Sequence, residues 1–120
     1  MLNLTKEGIV VQFLPKAKDF GVSLNQAIMK QNEIEIYKEA LNKWGESSQI
    51  MMLFEEMSEL QNAICKFYRG KCQSKDVVTE IADVMIMTEQ MAVLFGADEV
   101  VSEKKRKFER LQKRLERGVK

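Results

Sequence analysis

Two groups of carboxylates on apolar, helix-like stretches constrain the fold of this chain most. The first group is Glu55, Glu56 and Glu59, and the second is Glu80 and Asp83. In a helix, residues three and four apart share a face, with Cβ atoms about 5–6 Å apart. Glu56 is therefore expected beside Glu59 on one helix, and Glu80 is expected beside Asp83 on another.

The residues around both groups are apolar with helical spacing. The stripe beside the first group consists of Ile50, Leu53, Phe54, Met57, Leu60, Ile64 and Phe67. The stretch after Glu80 is apolar on nearly all sides, which predicts a buried helix. Two carboxylates about 5 Å apart repel by roughly 3 kcal/mol at an effective dielectric of 20. Four carboxylates in one partly buried site need protons, basic partners or a metal ion. Mg²⁺ or Mn²⁺ suits such a shell of oxygen ligands.

A single acidic group of this kind is usually a solvated helix face, because Glu is a good helix former. The second group, however, lies on a stretch too apolar to be such a face. The pairing of the two groups therefore favours a metal site over an ordinary polar surface.

The spacing of these acids resembles a known family signature. Glu55-Glu56-x-x-Glu59, followed after 20 residues by Glu80-x-x-Asp83, is similar to the EExxE…ExxD motif of MazG-like, all-α nucleoside triphosphate pyrophosphohydrolases. The resemblance covers about residues 24–117. It departs at Thr79, where many members carry a further Glu.

The resemblance implies an enzyme. The implied reaction is Mg²⁺-dependent hydrolysis of an NTP or dNTP at the α–β phosphate bond, which gives a nucleoside monophosphate and pyrophosphate. The implied metal ligands are Glu56, Glu59, Glu80 and Asp83, with Mn²⁺ as an alternative ion. Glu55 is then either a group that supports the metal ligands from behind or the base that orients water, and the implied catalytic residues are Glu55, Glu56 and Glu59.

Four further residues are candidates for binding the nucleotide. Lys107 and Arg110 lie on a basic stretch and offer a point charge and a planar fork to phosphate oxygens. Trp44, the only tryptophan, stacks on a base or belongs to the core. Gln49 lies just before the acidic motif and contacts the nucleotide or is a surface amide.

The chain is expected to be one all-α domain. Its 120 residues are 45% hydrophobic and include a single proline. Residues 1–22 are interpreted as an N-terminal extension and residues 23–120 as the MazG-like domain. Four antiparallel helices are predicted. The first begins at the capping box Ser23–Gln26 and ends at Trp44, and the second runs from Ser47 or Ser48 to Tyr68. The third runs from Asp76 to Gly96, and the fourth from Asp98 to Gly118.

The third predicted helix needs cover on every side, which the other three cannot supply while also leaving a cleft. A bundle completed by oligomerisation, as a homodimer or homotetramer, is therefore expected.

Composition excludes several kinds of site. The chain has no histidine, which argues against His-dependent triads and zinc sites. Its two cysteines, Cys65 and Cys72, are expected to be reduced thiols. No stretch has the length of a membrane span or the pattern of a signal peptide, so that a cytoplasmic location without membrane association is expected.

Three alternatives remain open. A relative in the same superfamily would act on phosphoribosyl-ATP, or on dUTP or dCTP specifically. A nucleic-acid-binding helical module could use the basic helix Lys104–Arg117, within residues 104–120 that hold 9 basic and 2 acidic groups. Few aromatic residues are available there for base stacking. A non-catalytic helical scaffold is the third. Neither of the last two calls for four clustered acids, so the enzyme is favoured and nucleic acid is not the expected partner.

Overall fold

The computed structural model describes residues 29–118. They form four α-helices: α1 (Gln31–Trp44), α2 (Glu46–Tyr68), α3 (Ser74–Phe95) and α4 (Ala97–Glu116). No strand occurs in this range. The all-α prediction is confirmed for the described residues, and no helix among them is long and apolar enough to cross a membrane.

The start of α1 differs from the prediction. Lys30 is extended, with φ −86° and ψ 156°, so the helix does not run unbroken from the region of Ser23. The Lys30 N–H donates a hydrogen bond to the Glu33 carboxylate at 3.4 Å, which caps a helix beginning at Gln31. The predicted capping box at Ser23–Gln26 and the predicted extension at residues 1–22 lie outside the described residues.

Single glycines join α1 to α2 and α3 to α4. Gly45 has φ 87°, a conformation that side chains rarely adopt, and its N–H donates to the Leu41 carbonyl at 2.9 Å. Because Gly45 both ends α1 and precedes Glu46, the second helix begins slightly before the predicted serine caps. Gly96 separates the other two helices.

Helices α2 and α3 form an antiparallel hairpin. Gln49 near the start of α2 accepts a hydrogen bond from Gln90 near the end of α3, at 2.5 Å. Toward the opposite end, the Cys72 thiol donates to the carbonyl oxygen of Ala63 at 3.4 Å. With both ends fixed in this register, the middle of α2 faces the middle of α3, where the two acidic groups lie.

Helix α1 packs on α3 and α2, and α4 packs on α3. The Tyr37 hydroxyl on α1 donates to the Glu89 carboxylate on α3 at 2.6 Å. Burial, the hydrogen bond to Glu89 and the nearby negative charges of Glu89 and Glu33 raise the pKa of Tyr37 above its ordinary value. The phenol therefore stays protonated and continues to donate this bond.

Within residues 29–118, α3 is not buried on all sides. Only Met87, Gln90 and Ala92 of this helix are buried. Its exposed apolar side chains are Val78, Ile81, Met85, Ile86 and Phe95. The physical reason is that α1, α2 and α4 cover only part of its surface. Helix α4 has no buried residue, and Phe108, Leu111 and Leu115 on it are exposed as well.

Candidate metal centre

Three carboxylates from two helices converge on one point. Glu56 and Glu59 on α2 and Glu80 on α3 each present an oxygen atom, and these atoms lie within 4.8 Å of one another. The i,i+3 spacing places the first two on one face of α2. The antiparallel hairpin then brings the third from the facing helix.

The local environment disfavours the charged form of Glu56 and of Glu80. The Oε2 atoms of Glu56 and Glu80 are shielded from solvent and have no hydrogen-bond partner among the described residues. Burial raises the pKa of Glu56, and the charges of Glu59, Asp83, Glu80 and Glu55 raise it further. Burial, the charges of Glu59 and Asp83, and a hydrogen bond with the Glu59 carboxyl group likewise raise the pKa of Glu80.

The donor set fits a hard divalent cation. No Lys or Arg nitrogen in residues 29–118 lies within 4.0 Å of these carboxylates, so no ammonium or guanidinium balances their charge there. Shielded carboxylate oxygens without donors gain most from a positive ion. Carboxylate oxygens are also the ligands that Mg²⁺ and Mn²⁺ prefer.

The other two acids of the motif lie beside this group. Asp83 is half-buried one turn after Glu80, and its negative charge raises the pKa of both Glu56 and Glu80. Its oxygens do not belong to the converging set. Glu55 is exposed and acts on Glu56 through its charge. The structure thus brings three of the four predicted ligands together and places Asp83 and Glu55 next to them.

Two predicted nucleotide-binding residues have unexpected environments. Trp44 is 57% exposed at the end of α1, and the Lys43 ammonium lies 5.6 Å from its ring centroid. It does not belong to the core that residues 29–118 form. Gln49 is only 6% exposed, and its side-chain carbonyl accepts the bond from Gln90. It is therefore a buried amide between α2 and α3 rather than a surface one.

Lys107 and Arg110 lie on the exposed surface of α4. Neither forms an ion pair with a described residue; the ion pair of this helix joins Glu103 and Arg106. A hydrogen bond from Arg106 lowers the pKa of Glu103, and the positive charges of Lys107 and Arg110 lower it further. Neither lines the cleft that opens beside the converging carboxylates, between the end of α2 and the start of α3.

That cleft contains two residues that sequence reasoning missed. It has a volume of about 360 Å³ and opens between the end of α2, the following loop and the start of α3. Its lining residues are Glu59, Asn62, Ala63, Lys66, Lys71, Cys72, Asp76 and Glu80. Spacing could have indicated Lys66, which follows Glu59 by two helical turns. Lys71 is in a loop and carries no such signal.

Comparison of the chain with protein-family models, with curated proteins and with solved structures gave no match. Its function is therefore inferred from its own residues.

Proposed function

We propose that this protein is a MazG-like pyrophosphohydrolase, which hydrolyses a nucleoside triphosphate between the α and β phosphates. One observation carries the proposal: oxygens of Glu56, Glu59 and Glu80 converge from two helices within 4.8 Å. A solvated acidic face would not need the second helix. The motif spacing described above supports the same reaction.

Glu56, Glu59, Glu80 and Asp83 would hold Mg²⁺, with Mn²⁺ as a substitute. When bound, the ion neutralises phosphate charge and favours attack at the α phosphorus. The fit rests on the shielded Oε2 atoms of Glu56 and Glu80, which have no donor among residues 29–118.

Glu55 serves as the general base in this proposal. It is exposed and adjacent to Glu56, so it can orient a water molecule and accept its proton. The water oxygen bonds to the α phosphorus, the α–β P–O bond breaks, and the bridging oxygen leaves with pyrophosphate. With no histidine in the chain, a carboxylate is the natural proton acceptor.

The remaining candidate residues would bind the nucleotide from outside the acidic group. Lys107 and Arg110 on α4 have no ion-pair partner among residues 29–118 and are available to phosphate oxygens. The exposed ring of Trp44 is available for stacking on a base. Gln49 would help mainly by joining the two helices that carry the acids.

The activity test is the identity of the product. Purified protein with Mg²⁺ should release pyrophosphate, and not orthophosphate, from at least one member of a panel of NTPs and dNTPs. EDTA should abolish the release and excess Mg²⁺ should restore it. Phosphorus NMR of the early reaction distinguishes the products; orthophosphate as the first product would rule out α–β cleavage.

A homo-oligomer, dimer or tetramer, is part of the proposal. The apolar side chains of α3 that are exposed among residues 29–118, together with Phe54 and Met57 on α2, are candidates for such a contact, because exposed apolar surface often marks an interaction site. A second copy packed on it would complete the bundle. Light scattering at micromolar concentration should give the mass of two or four chains, and a monomer mass would contradict this assignment.

The exposed cations of α4 favour one rival, a nucleic-acid-binding module. That rival predicts salt-dependent binding of DNA or RNA that is unaffected by Glu59→Gln. Binding of this kind without nucleotide hydrolysis would replace the proposed activity.

A further inference from the structure

We propose that Lys66 and Lys71 form an anion site beside the acidic group, and that it holds the β and γ phosphates, which depart as pyrophosphate. This inference rests on the proposed function for the identity of its ligand. The cleft that contains both lysines also contains Glu59 and Glu80, two of the three converging carboxylates. The cleft is a partly open groove with a volume of about 360 Å³, so its side chains are accessible to a ligand from solution.

The charges that line this cleft do not neutralise one another. Both lysines share it with three carboxylates, yet neither ammonium lies within 4.0 Å of a carboxylate of the described residues. Direct Lys–Glu pairs would fill the cleft with internal ion pairs and leave nothing for a ligand. Separate groups of each sign are what a cation–polyphosphate complex requires, because it presents a positive ion and negative oxygens together.

The backbone holds the two lysines at the same end of α2. Gly70 has φ 71°, and its N–H donates to the Phe67 carbonyl at 3.0 Å. The Lys71 N–H donates to the Lys66 carbonyl at 2.8 Å. These two bonds are those of a Schellman motif, which reverses the chain sharply where a helix ends. Lys71 is thereby returned next to Lys66 instead of pointing onward from the helix.

The rest of the loop is fixed as well. The Cys72 thiol donates to the Ala63 carbonyl one turn before Lys66. The Gln73 N–H donates to the Asp76 carboxylate at 2.8 Å. Asp76 lies in the first turn of α3, where the helix dipole favours its negative charge. Its charge is thus partly balanced, and it opposes an incoming phosphate less than a free carboxylate would.

A plainer explanation assigns Lys66 to the negative end of the α2 dipole and Lys71 to a solvated turn. The two explanations differ in what removal of the lysines does to ligand binding. Calorimetric titration with pyrophosphate in the presence of Mg²⁺ measures this without turnover. Hydrolysis of the triphosphate, with pyrophosphate as a product inhibitor, measures it during the reaction.

Lys66→Ala/Lys71→Ala should weaken binding of Mg²⁺–pyrophosphate by about tenfold or more, which is the effect of losing about 1.4 kcal/mol. It should raise KM for the triphosphate and the inhibition constant of pyrophosphate in parallel. Affinity for the nucleoside monophosphate should not change. Lys66→Arg/Lys71→Arg should recover most of the binding, and Lys75→Ala, an exposed lysine outside the cleft, should behave as wild type. All three variants remove or alter exposed side chains, so their melting temperatures should match the wild type.

The outcomes separate this inference from the proposed function. If wild type hydrolyses triphosphates but the double alanine variant binds pyrophosphate equally well, the anion site is wrong and the activity stands. If wild type hydrolyses none but binds pyrophosphate through these lysines, the activity is wrong and the anion site stands. If wild type does not bind Mg²⁺–pyrophosphate, the anion site is overturned whatever the activity.

Discussion

Glu59→Gln should lower turnover of the triphosphate on the order of 100-fold or more. The amide keeps the shape of the side chain but removes one negative charge from the three converging carboxylates. The size of the effect is that expected when a group stabilising transition-state charge is lost. Asp83→Asn should also lower turnover, because the Asp83 carboxylate on α3 lies close enough for its charge to raise the pKa of both Glu56 and Glu80.

The stability of the metal-free protein distinguishes this loss from unfolding. Removing one of several mutually repelling charges should leave the melting temperature unchanged or higher. Glu39→Gln is the matched control, since Glu39 is an exposed acid on α1 away from the converging oxygens. A Glu59→Gln protein with wild-type turnover would show that this carboxylate belongs to an ordinary polar face.

Gln90→Leu should destabilise the fold by about 1–3 kcal/mol. Gln90 is 3% exposed and donates to Gln49, which is itself 6% exposed. Leucine leaves the Gln49 amide buried without this partner, and an unsatisfied buried polar group carries a penalty of that size. Urea denaturation of the wild type and the variant measures the difference.

A double variant tests the cause of that loss. Gln49→Leu/Gln90→Leu removes both amides, so that its stability should lie closer to the wild type than that of Gln90→Leu. Gln61→Leu, at an exposed position on α2, should change stability by less than about 0.5 kcal/mol. If Gln90→Leu were as stable as wild type, the Gln49–Gln90 bond would not be what joins α2 to α3.

The hairpin and its acids were predictable because both depend on local spacing. The i,i+3 pairs fix which carboxylates share a helix face, and the glycines and polar residues between the apolar stretches indicate where the chain turns. An antiparallel pairing of the two helices then follows from the short loop between them. These rules were sufficient to place Glu56 beside Glu59 and to put the two acidic groups on neighbouring helices. The approach of Glu80 to the other two was expected from the pairing of acidic groups on apolar helices and from the family resemblance.

The features that were not predicted depend on register and on packing. Gln49 meets Gln90, and Tyr37 meets Glu89, only when the helices lie at one particular offset. No local pattern determines that offset. Lys71 joins the cleft because a positive φ at Gly70 turns the chain back, which helical periodicity does not reveal.

The exposure of α3 marks a different limit. Its composition shows that many of its side chains are apolar, but composition does not show what covers them. Phe95, for example, is 75% exposed in the single chain. Periodicity alone therefore indicates an apolar helix, but it does not show which side chains stay exposed among residues 29–118.

The central claim, that carboxylates of α2 and α3 bind one divalent cation, is tested most directly by titration with Mn²⁺ followed by electron paramagnetic resonance. Free Mn²⁺ gives a sharp spectrum, and binding to protein broadens it. Wild type and Glu39→Gln should bind Mn²⁺ saturably, and added Mg²⁺ should displace it. Glu59→Gln and Asp83→Asn, whose carboxylates come from opposite helices, should each weaken binding by about tenfold or more, or about 1.4 kcal/mol. Equal binding by wild type and both variants, or no saturable binding by wild type, would contradict the claim.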